Sequence, residues 1–289
     1  MSYVEIRPQT LPFSHKELCD IVRPRHGIIT SIGPQHLETF KTIENILHTK
    51  FELADALPEE GLLVLNGDNE FIRRHRIARG RITYGTDPGN DYSISGVSVS
   101  PAGASFTIRT PDAVEIPFTT KLIGEHNIVN LAGAIAMSLR LGVPAAELVA
   151  ACRKIAPVPH RLQLRELGDI VLIDDAYNSN PEGCEEALKT LKLFEGCRIL
   201  ITPGMVELGT KQVECNFAFG VAASKVCDCV YLVGRRQTQP IHDGLASAGY
   251  PADRIHVTDD FNSALDRVRR MPCEKRKIVL IENDLPDNY

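Results

Sequence analysis

The sequence predicts an α/β chain of two domains: a first domain whose parallel sheet continues into antiparallel hairpins, then a Rossmann-like, doubly wound domain. Three observations carry that reading. From Gly168 onward short apolar runs alternate with stretches of helical period; residues 91–120 alternate with period two between turn signals; and Ala156-Pro157-Val158-Pro159 separates the halves, since closely spaced prolines stop both helix and sheet. The domains are therefore expected at 1–157 and 158–289.

The elements follow in order. Gly27-Ile28-Ile29-Thr30 and Gly61-Leu62-Leu63-Val64-Leu65 read as buried strands around a helix from about Thr42 to Leu57, one βαβ unit. Between Asp91 and Thr120 the period-two pattern is broken by Gly96, Pro101-Ala102-Gly103 and Pro111-Asp112, which predicts hairpins on the sheet edge. A helix is expected over Glu125–Leu141, closed by Gly142, with Pro144 in the first turn of the next. In the second half the runs Ile170–Ile173, Arg198–Thr202, Val230–Val233, Ile255–Val257 and Lys277–Ile281 are apolar on both faces. Helices are expected between them, at Pro181–Phe194, Lys211–Val226, Pro240–Ala248 and Asn262–Arg270. Such strands require a parallel sheet covered on both sides.

Composition narrows the function classes. A chain of 289 residues with 43% hydrophobic and 24% charged residues is globular, and a net charge of -5 offers no bulk attraction to nucleic acid. The basic run Arg73-Arg74-His75-Arg76 is expected to be a solvated helix face. No apolar stretch approaches the roughly 20 residues that span a bilayer, and the first residues lack the layout of a signal peptide, so a cytoplasmic protein without membrane insertion is expected. The eight cysteines form no C-x-x-C pair and mostly lie in apolar segments, as packed, reduced thiols do.

Ligands on open α/β sheets gather beyond the carboxyl ends of the strands, so the turns after the apolar runs are the candidate sites. After the first run comes Ser31-Ile32-Gly33-Pro34-Gln35-His36, which sets an imidazole on a tight turn as a ligand or as a hydrogen-bonded loop histidine. Lys50 falls within the apolar stripe Ile43, Ile46, Leu47, Leu53, Ala54 and Leu57. It either snorkels to water, or it is a desolvated amine that takes up carbon dioxide and becomes an oxygen ligand for a cation. Asn127 and Asn130 share a face at a helix start, fit to read a base edge or to cap the helix. Arg161 places a guanidinium at the domain junction, where it could clamp a phosphate. Asp175 leaves a buried strand, placed to accept hydrogen bonds from ribose, and Tyr177 offers a flat face to a ring.

Seven segments together resemble the Mur ligases, ATP-dependent enzymes that join an amino acid or dipeptide to a UDP-muramoyl carrier. They are GIITSIGPQHLETF, HTKFELADALP, LLVLNGDN, GEHNIVNLAGAIA, PVPHRLQL, IDDAYNSNP and PGMVELG, in family order over nearly the whole chain. DAYNSNP with PGMVELG looks most like the member that adds D-alanyl-D-alanine to a UDP-muramoyl tripeptide. The resemblance implies that His36 and a carbamylated Lys50 hold a catalytic Mg2+, with Glu5 as a further ligand, although Ile6-Arg7 replaces the Met-Gly that usually follows. It implies that Asn127 and Asn130 lie by the adenine of ATP, that Arg161 contacts its phosphates and that Asp175 contacts its ribose. The implied partners are the UDP-muramoyl peptide and D-alanyl-D-alanine, and a monomer is expected.

The implied reaction passes through an acyl phosphate, yet no G-x-x-x-x-G-K-[ST] or shorter G-K-[ST] occurs in the chain. In the family that loop and the UDP-binding domain precede the segments matched here. The first domain is thus expected to be a partial central domain, and the chain a piece of a longer ligase that is inactive alone. The alternatives are another ligase of the Mur or folylpolyglutamate type, or a non-catalytic module that keeps the folds and binds without ATP chemistry.

Overall fold

A computed structural model describes residues 15–77, 80–177 and 179–283. Glu5 lies outside the described residues.

The first half is built on a six-stranded sheet in simple sequence order. Helix α1 (His15–Val22) leads into β1 (Gly27–Ile29), and a short helix α2 (Leu37–Phe40) precedes α3 (Ile43–Ala56). Thr42 caps α3, its hydroxyl accepting from the Asn45 N–H at 3.1 Å, and Ile46, Phe51 and Ala54 turn inward at helical spacing. Strand β2 (Leu63–Asn66) runs parallel to β1, which completes the expected βαβ unit. Helix α4 (Glu70–Arg74) and β3 (Ile82–Gly85) follow; β3 was not anticipated, because only Ile82 and Tyr84 mark its four residues. The basic run is only partly a solvated face: Arg73 and Arg74 are exposed, but the His75 ring packs 4.1 Å from that of Phe51.

Strands β4 (Tyr92–Ser100), β5 (Gly103–Arg109) and β6 (Glu115–Thr120) form the antiparallel hairpins on the sheet edge, and β4 joins β3 in parallel through two residue pairs. Helix α5 (Glu125–Arg140) lays Ile128, Leu131, Ala132, Ile135 and Ala136 on one face of this sheet, while α3 and α4 cover the other face with the cluster around Ile46, Phe51 and Leu63. Pro144 is the N-cap of α6 (Ala145–Cys152), one position earlier than expected.

The second half holds six strands in the order β11-β10-β9-β12-β8-β7. Its chain order is β7 (Gln163–Leu167), β8 (Ile170–Asp175), α7 (Pro181–Lys192), β9 (Cys197–Thr202), α8 (Gln212–Ala223), β10 (Cys229–Val233), α9 (Gln239–Ser247), β11 (Ile255–Thr258), α10 (Phe261–Arg270) and β12 (Lys277–Glu282). Five strands are parallel, and β8, β9, β10 and β12 are apolar on both faces: one face packs on α7, α8 and α9, the other on α10. The first strand is β7 rather than the expected Ile170 run. It pairs antiparallel with β8 at the edge and is largely exposed, and its two leucines, Leu164 and Leu167, are too few and too unevenly spaced to show a strand period.

Both sheets present the carboxyl ends of their parallel strands at the junction between the halves. There the β1–α2 turn, the N-terminal turn of α7 and the loop after β9 come together, and a small cavity is lined by Gln35, His36, Ser179, Asn180, Val206, Glu207 and Leu208.

Candidate functional site

His36 ends the turn after β1 in the left-handed region (φ 50°), which aims its ring across the junction. Its Nδ1 lies 2.5 Å from Glu207 Oε2, on the loop after β9. Glu207 is also left-handed (φ 61°), and its carbonyl accepts from the Glu38 N–H at 3.2 Å, so side chain and backbone of one residue hold both ends of this turn. Two non-glycine residues in a sparsely populated conformation, facing each other at a cavity, mark a place where tertiary structure overrides local preference.

Lys50 follows the same strand end from behind. Its Nζ donates to the Ser31 carbonyl at 2.9 Å, and burial lowers its pKa against the opposing pull of Glu182 on α7. Burial raises the Glu182 carboxyl in turn, and Lys50 draws it back. Gly33 makes this approach possible: a Cβ there would sit 2.8 Å from Glu182 Oε1. His36 and Lys50 thus share one strand edge and one face of the junction, and each meets a separate carboxylate of the second half.

The nucleotide candidates divide into two groups. Arg161, Asp175 and Tyr177 belong to one knot, because PVPHRLQL folds directly onto IDDAYNSNP. The Leu162 N–H donates to Asp175 Oδ1 at 3.0 Å, the Tyr177 N–H donates to the His160 carbonyl at 3.1 Å, and the Arg161 guanidinium lies 4.3 Å above the Tyr177 ring. His160 and Leu162 have φ of 61° and 46°, and His160 Nδ1 meets the buried Asp174 carboxylate at 3.0 Å. The start of α5 abuts the same turn, since a Cβ on Gly124 would lie 3.1 Å from Leu162 Cδ1. On that helix Asn130 is exposed, while Asn127 spends one amide hydrogen on the Ile123 carbonyl at 2.7 Å; the N-cap is Gly124, without a side-chain cap, so Asn127 does not take the capping role. His126 stands 3.8 Å from Glu186 of α7, an ion-pair distance and too long for a hydrogen bond.

Residues missed in the sequence are mostly the partners: Glu182, Glu207, Asp174, His160 and Glu282. Glu207 lies inside PGMVELG, and Glu282 leaves a buried apolar run as Asp175 does, so both carried a usable signal. Glu182 carried none, because an acidic residue in the first turn of a helix is ordinary and needs no distant partner to explain it.

Among the described residues no three His, Cys, Asp or Glu side chains converge as a cation cage. The His36–Glu207 pair suits a cation site in which Glu207 orients the ring through Nδ1 and leaves Nε2 to ligate, with oxygen donors and water completing the shell of a Mg2+. A cleft opens beside the His36 cavity, sharing Val206 with it and lined further by Gln212, Val213, Asn216, Arg236, Gln237 and Pro240. Among the described residues no helix is long and apolar enough to cross a membrane.

Comparison with known proteins agrees with this two-part layout. Residues 11–138 match the Mur ligase middle domain and residues 160–282 the Mur ligase, glutamate ligase domain. The chain is 28% identical over 267 residues to UDP-N-acetylmuramoyl-tripeptide--D-alanyl-D-alanine ligase of Escherichia coli K12, covering 90% of this chain and 57% of that one. It is 32% identical to the enzyme of the same name from Mycobacterium bovis, covering 92% of this chain and 56% of the relative. Among solved structures, MurF ligase from Thermotoga maritima in complex with ADP superposes with a TM-score of 0.80 at 23% identity, covering 93% of this chain and 60% of that one. MurF from Acinetobacter baumannii gives 0.80 at 22% identity, with 93% and 58% covered. The chain spans a little over half the length of these curated relatives.

Proposed function

Because the chain belongs to the Mur ligases by its middle and C-terminal domains, we propose that it is the catalytic back half of an ATP-dependent amide ligase that adds D-alanyl-D-alanine to a UDP-N-acetylmuramoyl tripeptide. The observation that carries the reading is the junction itself. Two halves matching the two domains present strand ends to each other, with His36 and Lys50 on one side and the Arg161–Asp175–Tyr177 knot on the other. We keep the domain boundary at 157/158, in the coil between α6 and β7.

In this reading the substrate carboxylate attacks the γ-phosphorus of ATP, the bond to ADP breaks, and an acyl phosphate forms. The dipeptide amine then adds to the acyl carbon, and phosphate leaves as the amide closes and the amine sheds a proton. A bound Mg2+ supplies charge neutralisation at the transferring oxygens. The chain's residues do the rest. Asp175, fixed by the Leu162 N–H, faces the ribose; Tyr177 and Arg161 present a flat cationic surface to the nucleotide; Asn127 and Asn130 stand by the base. His36 is held by Glu207 through Nδ1, which leaves Nε2 for the ion. Lys50, with its amine favoured by burial, adds carbon dioxide as Lys-NH2 + CO2 → Lys-NH-COO- + H+ and becomes an oxygen donor. The cleft that shares Val206 with the His36 cavity admits the dipeptide, with Arg236 available to its carboxylate. Glu5 is kept as a further ligand of the ion, and the catalytic cycle runs in the cytoplasm by a monomer.

The test joins this chain to the phosphate-loop segment of a relative and supplies ATP, UDP-muramoyl tripeptide and a panel of amines. Dipeptide ligation with release of phosphate, strongly preferring D-alanyl-D-alanine, supports the proposal; equal use of diaminopimelate or glutamate assigns another ligase type. One observation favours a second reading, a binding module without ATP chemistry: the Lys50 nitrogen already bonds Ser31 and faces Glu182. A module forms no carbamate and ligates no amine even when the phosphate loop is supplied.

A further inference from the structure

Asp175 and Glu282 are register partners on the adjacent central strands β8 and β12, so their side chains leave the sheet on the same face. The shared register sets the two carboxyl groups side by side, near enough for the charge of Asp175 to act on Glu282. Glu282 is 1% exposed, and its Oε1 accepts from the Ser179 hydroxyl at 2.8 Å and the Cys184 thiol at 3.3 Å. Its buried Oε2 meets no donor. Two neighbouring carboxylates, one of them fully buried, repel when both are ionised, so a single proton on the pair removes the repulsion and lets the bare oxygen donate.

We propose that Glu282 is a positioning residue of the nucleotide site: a neutral carboxylic acid whose hydrogen is donated to Asp175, fixing that carboxylate in the orientation that meets ribose. The site is thereby sensitive to pH through a group that does not itself reach the ligand. This rests on the reading of Asp175 as a nucleotide contact.

The surroundings of the pair decide which member keeps the proton. Asp175 receives the Leu162 N–H and faces the His126 ring on α5 and the Arg161 guanidinium on the preceding turn, which favour its ionised form. Glu282 faces Asp175 on β8, Ser179, and the Cys184 thiol on α7, with no cation among them. Burial raises both carboxyls, and for Glu282 the neighbouring Asp175 charge adds to it. The acid is therefore Glu282 and the carboxylate is Asp175.

The experiment uses the full chain with 13C-labelled carboxyls, resonances assigned with E282Q and D175N, titrated from acid to neutral pH. The Glu282 carbon is expected to keep its protonated shift at neutral pH while Asp175 is ionised. Independent titration of both carbons in the ordinary carboxylate range overturns the shared proton. In parallel, equilibrium binding of a fluorescent ADP is measured for the parent, E282Q and E282A. Glutamine keeps a neutral donor, so E282Q is expected to bind within about twofold of the parent and to lose the pH dependence. E282A, with unchanged circular dichroism, weakens binding about tenfold, the loss of one hydrogen bond to a charged group. Equal weakening in E282Q and E282A overturns the positioning role. If the parent binds no ADP, the nucleotide reading and the positioning role fall together, and the carbon titration still decides whether the proton is shared.

Discussion

Replacing Lys50 by Met separates the snorkelling lysine from the reactive one. Methionine keeps the length and the apolar stem but removes the ammonium. Two terms then oppose each other. The Ser31 carbonyl loses its donor at 2.9 Å, which costs about 1–3 kcal/mol if no water replaces it. Against this, the lowered pKa shows that burial of the ammonium outweighs its attraction to Glu182, so discharging the site relieves a desolvation cost. The net change in unfolding free energy is expected to stay within about 1 kcal/mol, measured by urea denaturation. The pH dependence has a definite sign. A lysine whose folded pKa is depressed adds stability as pH rises from its folded value toward its unfolded one, and K50M should lose that rise. The chemical readout is a carbamate carbon in 13C NMR after addition of labelled bicarbonate with Mg2+, present in the parent and missing in K50M. A variant that loses more than about 2 kcal/mol, beside a parent that shows no carbamate, refutes the reasoning and returns Lys50 to a packing role.

Other consequences are structural. E282Q should flatten the pH dependence of stability: the raised folded pKa of Glu282 means its contribution is full below the unfolded value and fades as pH rises, at up to about 1.4 kcal/mol per pH unit per proton. Thermal melts of both proteins across that range check this, and parallel curves contradict it. G244A should destabilise the second half by about 1–3 kcal/mol, since a Cβ there would stand 2.1 Å from the Phe217 carbonyl oxygen where α8 and α9 cross; an unchanged denaturation midpoint would show that the helices can separate freely. T42A should cost about 1 kcal/mol by leaving the Asn45 N–H without its cap, read by the same urea titration.

Much of the fold was legible because its signals are local. The runs at Ile170, Arg198, Val230 and Lys277 are apolar on both faces, and only a covered parallel sheet accommodates them. Thr42 before the stripe of α3 marked that helix to within a residue. Edge strand β7 escaped notice because an exposed edge needs no apolar residues, and β3 because four residues are too few to show a period. The candidate site was legible as motifs but not as contacts. Asp175, Arg161 and Tyr177 were named separately, and only the fold shows that the Pro-rich turn and the β8 end form one knot. The carboxylates facing His36 and Lys50 come from the other half of the chain. Pairings over such separations leave no periodic trace, and Asp174 reads in the sequence only as a neighbour of Asp175, its pairing with His160 being set by the fold of the Pro-rich turn.

The most direct test is a crystal structure of the chain with ADP and Mn2+, using the anomalous signal of manganese to locate the ion. A peak is expected bonded to His36 Nε2 and to an oxygen carried on the Lys50 nitrogen, with the ribose on Asp175 and the nucleotide lying along the Arg161–Tyr177 face. A manganese peak away from both side chains, or ADP seated outside the junction, would contradict it.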